Sequence, residues 1–207
     1  NYKGQREYND KDNFNSQRNL IIDMLNEYFP ITLARHEDYE CDDIIGHLAN
    51  MYKEQNSVVI ISSDTDFIQC IDENVSLYNP VRKDFIEKPE YDYVLWKSLK
   101  GDASDNIVGF KGIGDKRAMK LCESKEELDK FLIDEDRKKK LDQNIFMIKL
   151  HDLKEDAKNI MYFKKAKEQQ WDVVKSVFRK YEFNSMISKD KTWNKYTSTF
   201  TKLFERN

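Results

Sequence analysis

The stretch Val58-Val59-Ile60-Ile61-Ser62-Ser63-Asp64-Thr65-Asp66 decides the fold that we expect for this chain. A short continuous run of β-branched apolar residues is typical of a strand covered on both faces, as in the parallel sheets of α/β proteins. A helical turn through Phe67, Ile68 and Ile71 leads to a second short strand at residues 75–78, which gives a β-α-β unit. The sequence therefore predicts a mostly parallel central sheet.

Helices are predicted on both sides of this unit in the sequence. Residues 14–29 and 41–52 carry apolar side chains at helical spacing, and Pro30 stops the first of these patterns. From about residue 91 the chain reads as helices separated by glycine and charged turns. The expected class is α/β, with the sheet flanked by helices.

Two acids follow the apolar strand directly. In open α/β sheets, ligands collect at the carboxyl ends of the strands, where Asp64 and Asp66 stand. Both can reach one cation, and the absence of a neighbouring His or Cys favours Mg²⁺ or Mn²⁺ over zinc. The alternative for this pair alone is a helix cap at Asp64 with Asp66 in the first turn.

A second acidic group stands at the start of the helix predicted for residues 41–52. Glu40 and Asp43 are three residues apart and share a face, whereas Asp42 is turned about 100° away. The helix dipole helps to keep these groups ionised. Simple N-terminal capping by acids is the alternative for this cluster.

The third acidic group leads into a glycine-rich segment. Asp102 and Asp105 are three apart, so one helical turn would point both the same way. The glycines that follow allow a tight backbone path whose N–H groups can bind phosphate at the start of the next helix, and nearby bases can hold a nucleic-acid backbone. A plain glycine turn accounts for the glycines but not for the acids and bases around them. The candidate DNA-binding residues here are Gly109, Lys111, Gly112, Gly114, Lys116 and Arg117, with Lys120 adding charge.

Acidic groups repel one another unless cations lie between them, so seven carboxylates in three clusters predict a site for two metal ions beside a phosphate-binding loop. Neutralising these seven acids would change the formal charge of the chain from -3 to +4, so the surface that faces substrate could be basic. This combination is typical of a metal-dependent nuclease. We assign no catalytic role to His36, His47 or His151.

Composition predicts a soluble protein from a reducing compartment. The three cysteines, at positions 41, 70 and 122, are widely spaced and form no metal-ligand pattern. No stretch approaches the ~18 apolar residues of a membrane span. We expect a monomer without membrane contact.

The three acidic groups lie in three longer blocks, Tyr39-Glu40-Cys41-Asp42-Asp43, Ser62-Ser63-Asp64-Thr65-Asp66-Phe67 and Gly101-Asp102-Ala103-Ser104-Asp105-Asn106-Ile107-Val108-Gly109-Phe110-Lys111-Gly112-Ile113-Gly114-Asp115-Lys116-Arg117-Ala118. These blocks resemble those of the flap endonuclease, or 5′-3′ exonuclease, family, and the order and spacing match to about residue 150. Bacteriophage 5′-exonucleases and the 5′-nuclease domain of bacterial DNA polymerase I are the relatives that we expect to be closest.

The resemblance implies a PIN-like 5′-nuclease core, a helix-three-turn-helix that holds duplex DNA, and an arch that a single strand passes through. Near the chain start, Lys3 and Arg6 would be catalytic residues that steer the scissile phosphate, and Tyr2 would stack on a base. Glu40, Asp42 and Asp43 would serve one metal, and Asp64, Asp66, Asp102 and Asp105 the other. The implied cofactors are two Mg²⁺ (or Mn²⁺) ions and a K⁺ ion at the glycine hairpin.

The implied substrate is branched or nicked duplex DNA with a 5′ single strand, or an RNA primer on DNA, in the cytoplasm of a bacterial or phage-infected cell. The expected division is residues 1–97 for the catalytic core, with an arch remnant near 1–19, residues 98–155 for the helix-three-turn-helix, and residues 156–207 for a helical end. Because family members begin with Asp-bearing strands that we cannot place here, we expect a fragment truncated at its N-terminus. Two rivals remain, a PIN-type ribonuclease and a non-catalytic DNA-binding fragment.

Overall fold

The computed structural model describes residues 11–164 and 168–204. By packing, the chain divides into two compact units, and the described part of the first consists of residues 36–158. The second unit consists of residues 11–35 and the described residues from 159 onward. The predicted residues Tyr2, Lys3 and Arg6 lie outside the described ranges. The three-part division expected from the sequence stays a prediction.

The secondary structure of the described residues alternates between helices and short strands. The α-helices in chain order are α1 Lys11–Tyr28, α2 Cys41–Tyr52, α3 Tyr93–Lys100, α4 Asp115–Glu123, α5 Lys125–Phe131, α6 Glu135–Ile148, α7 Trp171–Lys180, α8 Asn184–Ile187 and α9 Asp190–Phe204. The strands are β1 Thr32–Arg35, β2 Val58–Ile61, β3 Val75–Asn79, β4 Asp84–Ile86, β5 Gly101–Asp102, β6 Ile107–Val108 and β7 Met161–Lys164, and 3₁₀-helices cover Thr65–Cys70 and Lys154–Asn159.

A three-stranded sheet organises the first unit. Strand β2 pairs in parallel with β3, and the 3₁₀-helix Thr65–Cys70 lies in the connection between them. Strand β4 pairs antiparallel with β3. The predicted β-α-β unit and the α/β class are confirmed. Among the described residues, the other two strand pairs are antiparallel.

The prediction that β2 is covered on both faces was wrong. Ile60 is buried against Phe67, Val75 and Leu77, but Val59 and Ile61 keep 52% and 68% of their surface exposed. The reason is that the apolar cluster packs on the face of β2 that carries Ile60, whereas the described residues leave the face that carries Val59 and Ile61 open.

A second apolar cluster in the same unit joins α3, α4 and α6. Leu99, Ala118 and Leu141 are buried in it. Asn144 of α6 donates a hydrogen bond to the carbonyl oxygen of Ser98 at 2.9 Å, which ties α6 to α3 within this core. This packing fixes the segment between α3 and α4, where the third acidic cluster lies.

The second unit is helical, with one pair of antiparallel strands, β1 and β7. Its core packs apolar and aromatic side chains from α1, α7 and α9, including Met24, Val174 and Trp193, around Phe29, which is fully buried. The ring of Phe200 meets that of Phe29 edge to face, with centroids 4.8 Å apart. None of the described helices is both long and apolar enough to cross a membrane.

Candidate metal centre

The turn after β2 presents Asp64 and Asp66. Asp64 caps the 3₁₀-helix, because its carboxylate accepts a hydrogen bond from the backbone N–H of Asp66 at 2.9 Å. The hydroxyl oxygen of Ser62 in turn accepts the N–H of Asp64 at 3.0 Å. The capping role considered from the sequence is therefore present, and it sets the path of the turn that carries both acids.

Asp102 and Asp105 lie on a β-hairpin, so the predicted helical turn was wrong. Asp102 ends β5, the turn follows, and Asn106 adopts a left-handed φ of 60° before β6 begins. The hairpin still brings the two acids together. One carboxylate oxygen from each of Asp66, Asp102 and Asp105 lies within 4.8 Å of the others, which is close enough for one cation to contact all three.

Sequence reasoning missed Lys97, whose ammonium group lies between two of these acids. Its Nζ contacts Asp66 Oδ1 and lies 2.6 Å from Asp102 Oδ2. The Lys97 side chain is only 8% exposed. A signal was present, because Lys97 follows Tyr93 by one helical turn on the buried side of α3 and stands directly after the apolar run Val94-Leu95-Trp96, just before the third acidic block.

Burial and this contact shift the pKa values of the three groups in different directions. Burial raises the pKa of Asp66, and Lys97 offsets this only in part. Burial also acts to raise the pKa of Asp102, but hydrogen bonds from Lys97 and Ser104 together lower it below its ordinary value. For Lys97, burial favours the neutral amine, but the hydrogen bonds to Asp102 and Asp66 outweigh it and raise the pKa, so the group is an ammonium ion.

The first acidic cluster begins α2 as predicted. Glu40 occupies the position before the first helical residue, without a hydrogen bond from its side chain to the helix end. Asp43 is buried, and its Oδ1 accepts the backbone N–H of His151 at 2.7 Å. Asp42 Oδ1 accepts a weak bond from the thiol of Cys41 at 3.3 Å. A backbone amide thus stabilises the negative charge of the buried acid.

The three clusters meet in the first unit. A cavity of about 430 Å³ is lined by acids from all of them. Residues 146–151, at the end of α6 and just after it, also line it. Asp102 lies beside this cavity, next to Asp66 and Asp105. Among the lining residues are Asp38, Glu40, Asp42, Asp43, Asp64, Asp66, Asp105, Lys149 and His151. The structure therefore brings together the seven acids that the sequence singled out, while their roles as ligands stay a prediction.

The glycine-rich segment starts where the β-hairpin ends. A Cβ atom on Gly109 would lie 2.0 Å from the carbonyl oxygen of Lys100, so only glycine fits there. Gly112 has a left-handed φ of 78°, and Gly114 caps α4. Lys140 Nζ donates to the carbonyl oxygen of Gly109 at 2.7 Å, which braces the segment against α6.

A basic concavity of about 610 Å³ follows on helices α4, α5 and α6. The predicted residues Lys116 and Arg117 line it, and both are exposed. Lys130 and Arg137 were not among the predicted DNA-binding residues. The full lining is Lys116, Arg117, Lys120, Leu121, Glu127, Lys130, Phe131 and Arg137. Lys111 lies outside this lining, exposed on the glycine segment.

The side chain of His36 has a structural role in the loop before α2. It is buried, its Nδ1 accepts the N–H of Asp38 at 3.0 Å, and its Nε2 lies 3.2 Å from the carbonyl oxygen of Asp156. Tyr39 donates to the Asp156 carboxylate at 3.1 Å from the same loop. These bonds anchor the loop that leads into the first acidic cluster.

An α/β unit with an acid-lined cavity, a glycine-rich segment and a basic concavity on α4, α5 and α6 defines a protein with the PIN-like 5′-nuclease fold. Residues 1–95 match the model of the 5′-3′ exonuclease N-terminal resolvase-like domain. This match covers the first 95 of the 207 residues, and it confirms the resemblance seen in the sequence.

Relatives and solved structures agree with this assignment. The chain is 38% identical over 117 residues to DNA polymerase I of Caldicellulosiruptor bescii, covering 49% of this chain and 14% of the relative. It is 30% identical over 141 residues to a 5′-3′ exonuclease of Mycoplasmopsis pulmonis, covering 62% of this chain and 46% of the relative. The chain thus spans less than half the length of these relatives.

The T5 D15 protein co-crystallised with metal ions shares the fold, with a TM-score of 0.56 at 17% identity over 75% of this chain and 69% of that one. The bacteriophage T5 D15 flap endonuclease, in a complex with DNA and metal ions, gives a TM-score of 0.50 at 18% identity over 57% and 53%.

Proposed function

We propose that this chain is the nuclease part of a structure-specific 5′-nuclease that hydrolyses phosphodiester bonds with the help of divalent metal ions. The observation that carries the proposal is the convergence of acids from three distant segments, with oxygens of Asp66, Asp102 and Asp105 within 4.8 Å of one another. The printed names of the relatives, 5′-3′ exonuclease and DNA polymerase I, and of the T5 flap endonuclease complex with DNA and metal ions support it.

The donor set fits a hard divalent cation. Each of the three converging groups offers a carboxylate oxygen, and Mg²⁺ and Mn²⁺ prefer such oxygens together with water. Asp66, Asp102 and Asp105 would hold one ion, with Asp64 at the edge of the same cavity. Glu40, Asp42 and Asp43 would face a second ion. When bound, such ions polarise a phosphodiester and lower the pKa of a water molecule that attacks it.

The chain's own residues would orient the substrate. The phosphate backbone of duplex DNA would lie along the glycine-rich segment and the basic concavity. There Lys111, Lys116 and Arg117 would contact phosphates without reading bases. The substrate in this proposal is branched or nicked duplex DNA with a 5′ single strand, or an RNA–DNA hybrid, and Mg²⁺ is the natural ion, with K⁺ at the glycine hairpin. The protein would act as a monomer in the cytoplasm of a bacterial or phage-infected cell.

Cleavage of a 5′-flap DNA substrate by the purified full-length protein tests this function. We expect Mg²⁺-dependent cutting that a chelator stops. Asp64→Ala combined with Asp66→Ala should abolish cutting and leave DNA binding largely intact, because the acids act on the ions and the basic residues hold the duplex. The control replaces two exposed acids away from the cavity, Glu54→Ala with Glu73→Ala, and should cut like the wild type.

The outcomes separate the remaining candidates. Undiminished cutting by the Asp64 and Asp66 double variant would refute the metal assignment. Binding of the flap substrate without cutting by the wild type would favour the non-catalytic DNA-binding fragment. Cutting of single-stranded RNA in preference to the flap would favour a PIN-type ribonuclease.

A further inference from the structure

The ammonium group of Lys97 occupies the acid cluster in the way that a bound cation would. The ammonium group meets one oxygen of Asp66 and one oxygen of Asp102, and Asp105 lies within reach of both acids. The side chains of Lys97, Asp66 and Asp102 are 8%, 18% and 9% exposed, so water screens this contact poorly. A lysine in this position must affect any second cation that enters the cluster.

The charge of the cluster shows why the lysine is needed. Three carboxylates whose oxygens lie within 4.8 Å of one another repel strongly when half-buried. The ammonium group offsets one of the three negative charges. Without it, the metal-free chain would have to hold the acids together against their mutual repulsion or take up protons.

We propose that Lys97 is an internal counter-ion of this centre, which holds Asp66 and Asp102 together in the metal-free protein and weakens the binding of a divalent ion there. The inference rests on the proposed function in that it takes the cluster to be a metal site. Its physical basis is Coulombic. The positive charge of the lysine attracts the carboxylates of the metal-free cluster and repels an incoming divalent cation. Lys97 is thus a positioning residue with a measurable electrostatic cost for the metal.

A counter-ion and a purely structural lysine predict opposite changes in metal affinity when Lys97 is replaced. If Lys97 only kept the ligands in place, removing it would weaken metal binding. If it is a counter-ion, removing its charge leaves the acids more negative, and the ion binds more tightly while the metal-free protein becomes less stable. A divalent ion should then supply the stabilisation that the lysine gave.

The experiment uses the 207-residue chain and measures Mn²⁺ binding by the electron paramagnetic resonance signal of free Mn²⁺, together with thermal unfolding in chelator and in saturating Mn²⁺. For Lys97→Met we expect a Tm in chelator about 10 °C lower than that of the wild type, because an uncompensated buried charge remains. Mn²⁺ should bind roughly tenfold more tightly and raise the Tm of this variant more than that of the wild type.

Two variants control for charge and for the loss of any lysine. Lys97→Arg keeps the charge and should bind Mn²⁺ with the wild-type affinity. Lys53→Met removes a different lysine contact of this unit, in which Lys53 Nζ lies 2.8 Å from Asp72 Oδ2 and both side chains are about 30% exposed. It should leave Mn²⁺ binding unchanged.

Each result decides the matter. Weaker or equal Mn²⁺ binding by Lys97→Met, or a variant that stays unfolded even with Mn²⁺ present, overturns the inference. Tighter binding by Lys97→Arg as well would show that geometry, not charge, controls the ion. Asp105→Asn separates the two proposals, because wild-type Mn²⁺ binding that is insensitive to Asp105→Asn would refute the metal site itself, whereas an Asp105-dependent site with the wrong response to Lys97→Met refutes only the counter-ion.

Discussion

The acid-lined cavity and the basic concavity of the first unit are built in different ways. The acids come from three segments distant in the chain, and Asp43, Asp66 and Asp102 are buried or nearly so. The basic residues come from consecutive helices, and Lys116 and Arg117 are exposed. A short-range site for a small ion needs fixed atoms, whereas a surface that holds a phosphate backbone needs mainly charge.

The difference also appears in how each charge is satisfied. The acids use the protein itself: Lys97 for Asp66 and Asp102, and the His151 N–H for Asp43. The bases rely on water, with surface contacts such as that of Lys130 with Glu126 at 2.7 Å, in which both side chains are more than two-thirds exposed. Mutations should therefore affect folding at the acids and substrate binding at the bases.

The largest effect on stability should come from the backbone that carries Asp102. Gly101 has φ 85° and ψ 173°, a conformation that is nearly exclusive to glycine, and a Cβ atom there would lie 2.3 Å from the backbone nitrogen of Gly109. Gly101→Ala should lower the free energy of unfolding by about 3 kcal/mol or more, as measured by urea denaturation.

Gly46→Ala is the matched control for that substitution. Gly46 lies inside α2, and its added Cβ would meet the flexible end of Leu150 at 3.0 Å. The gain in helix propensity opposes this crowding, so the change should stay within about 1 kcal/mol. Equal losses at Gly101 and Gly46 would contradict the idea that the hairpin backbone is the constrained part of the site.

A smaller effect should separate two acids of the first cluster. Asp43→Ala leaves the partly buried N–H of His151 without its acceptor, which should cost about 1–3 kcal/mol in the free energy of unfolding. Asp42→Ala loses only a weak thiol contact and should change stability by less than about 0.5 kcal/mol. Thermal unfolding in chelator measures both without metal binding. A larger loss at Asp42 than at Asp43 would mean that helix capping, not the buried bond, stabilises the cluster.

The sequence predicted the local patterns of this site but not its long-range contacts. Helix α2, strand β2 and the grouping of the acids follow from periodicity and from the chemistry of neighbouring residues. The contact of Lys97 with Asp66 was missed because these residues are 31 positions apart and no local pattern pairs them. Its contact with Asp102, a near neighbour in the chain, was missed because it depends on the β-hairpin. The β-hairpin at Asp102 was read as a helical turn because a spacing of three suits both structures. The exposed face of β2 was missed because the segments that cover a face of a strand are set by tertiary packing, which the local sequence does not show.

Substitution of the exposed lysines near the basic concavity should have the smallest effect on folding stability and a clear effect on DNA affinity. Lys111→Ala and Lys116→Ala remove exposed charges, so each should change the free energy of unfolding by less than about 0.5 kcal/mol. Each should weaken binding to duplex DNA and reduce the slope of the logarithm of affinity against the logarithm of salt concentration by about one, because one fewer counterion is released.

Lys125→Ala is the control for these two lysines, since Lys125 is exposed at the start of α5 but does not line the basic concavity. Fluorescence anisotropy of a labelled duplex between about 50 and 200 mM salt measures all three slopes. If Lys125→Ala flattened the slope as much as Lys116→Ala, the duplex would not be confined to the glycine hairpin and the concavity. If neither Lys111 nor Lys116 changed the slope, DNA would bind elsewhere, and the basic residues would be only a solvated surface that balances the acids.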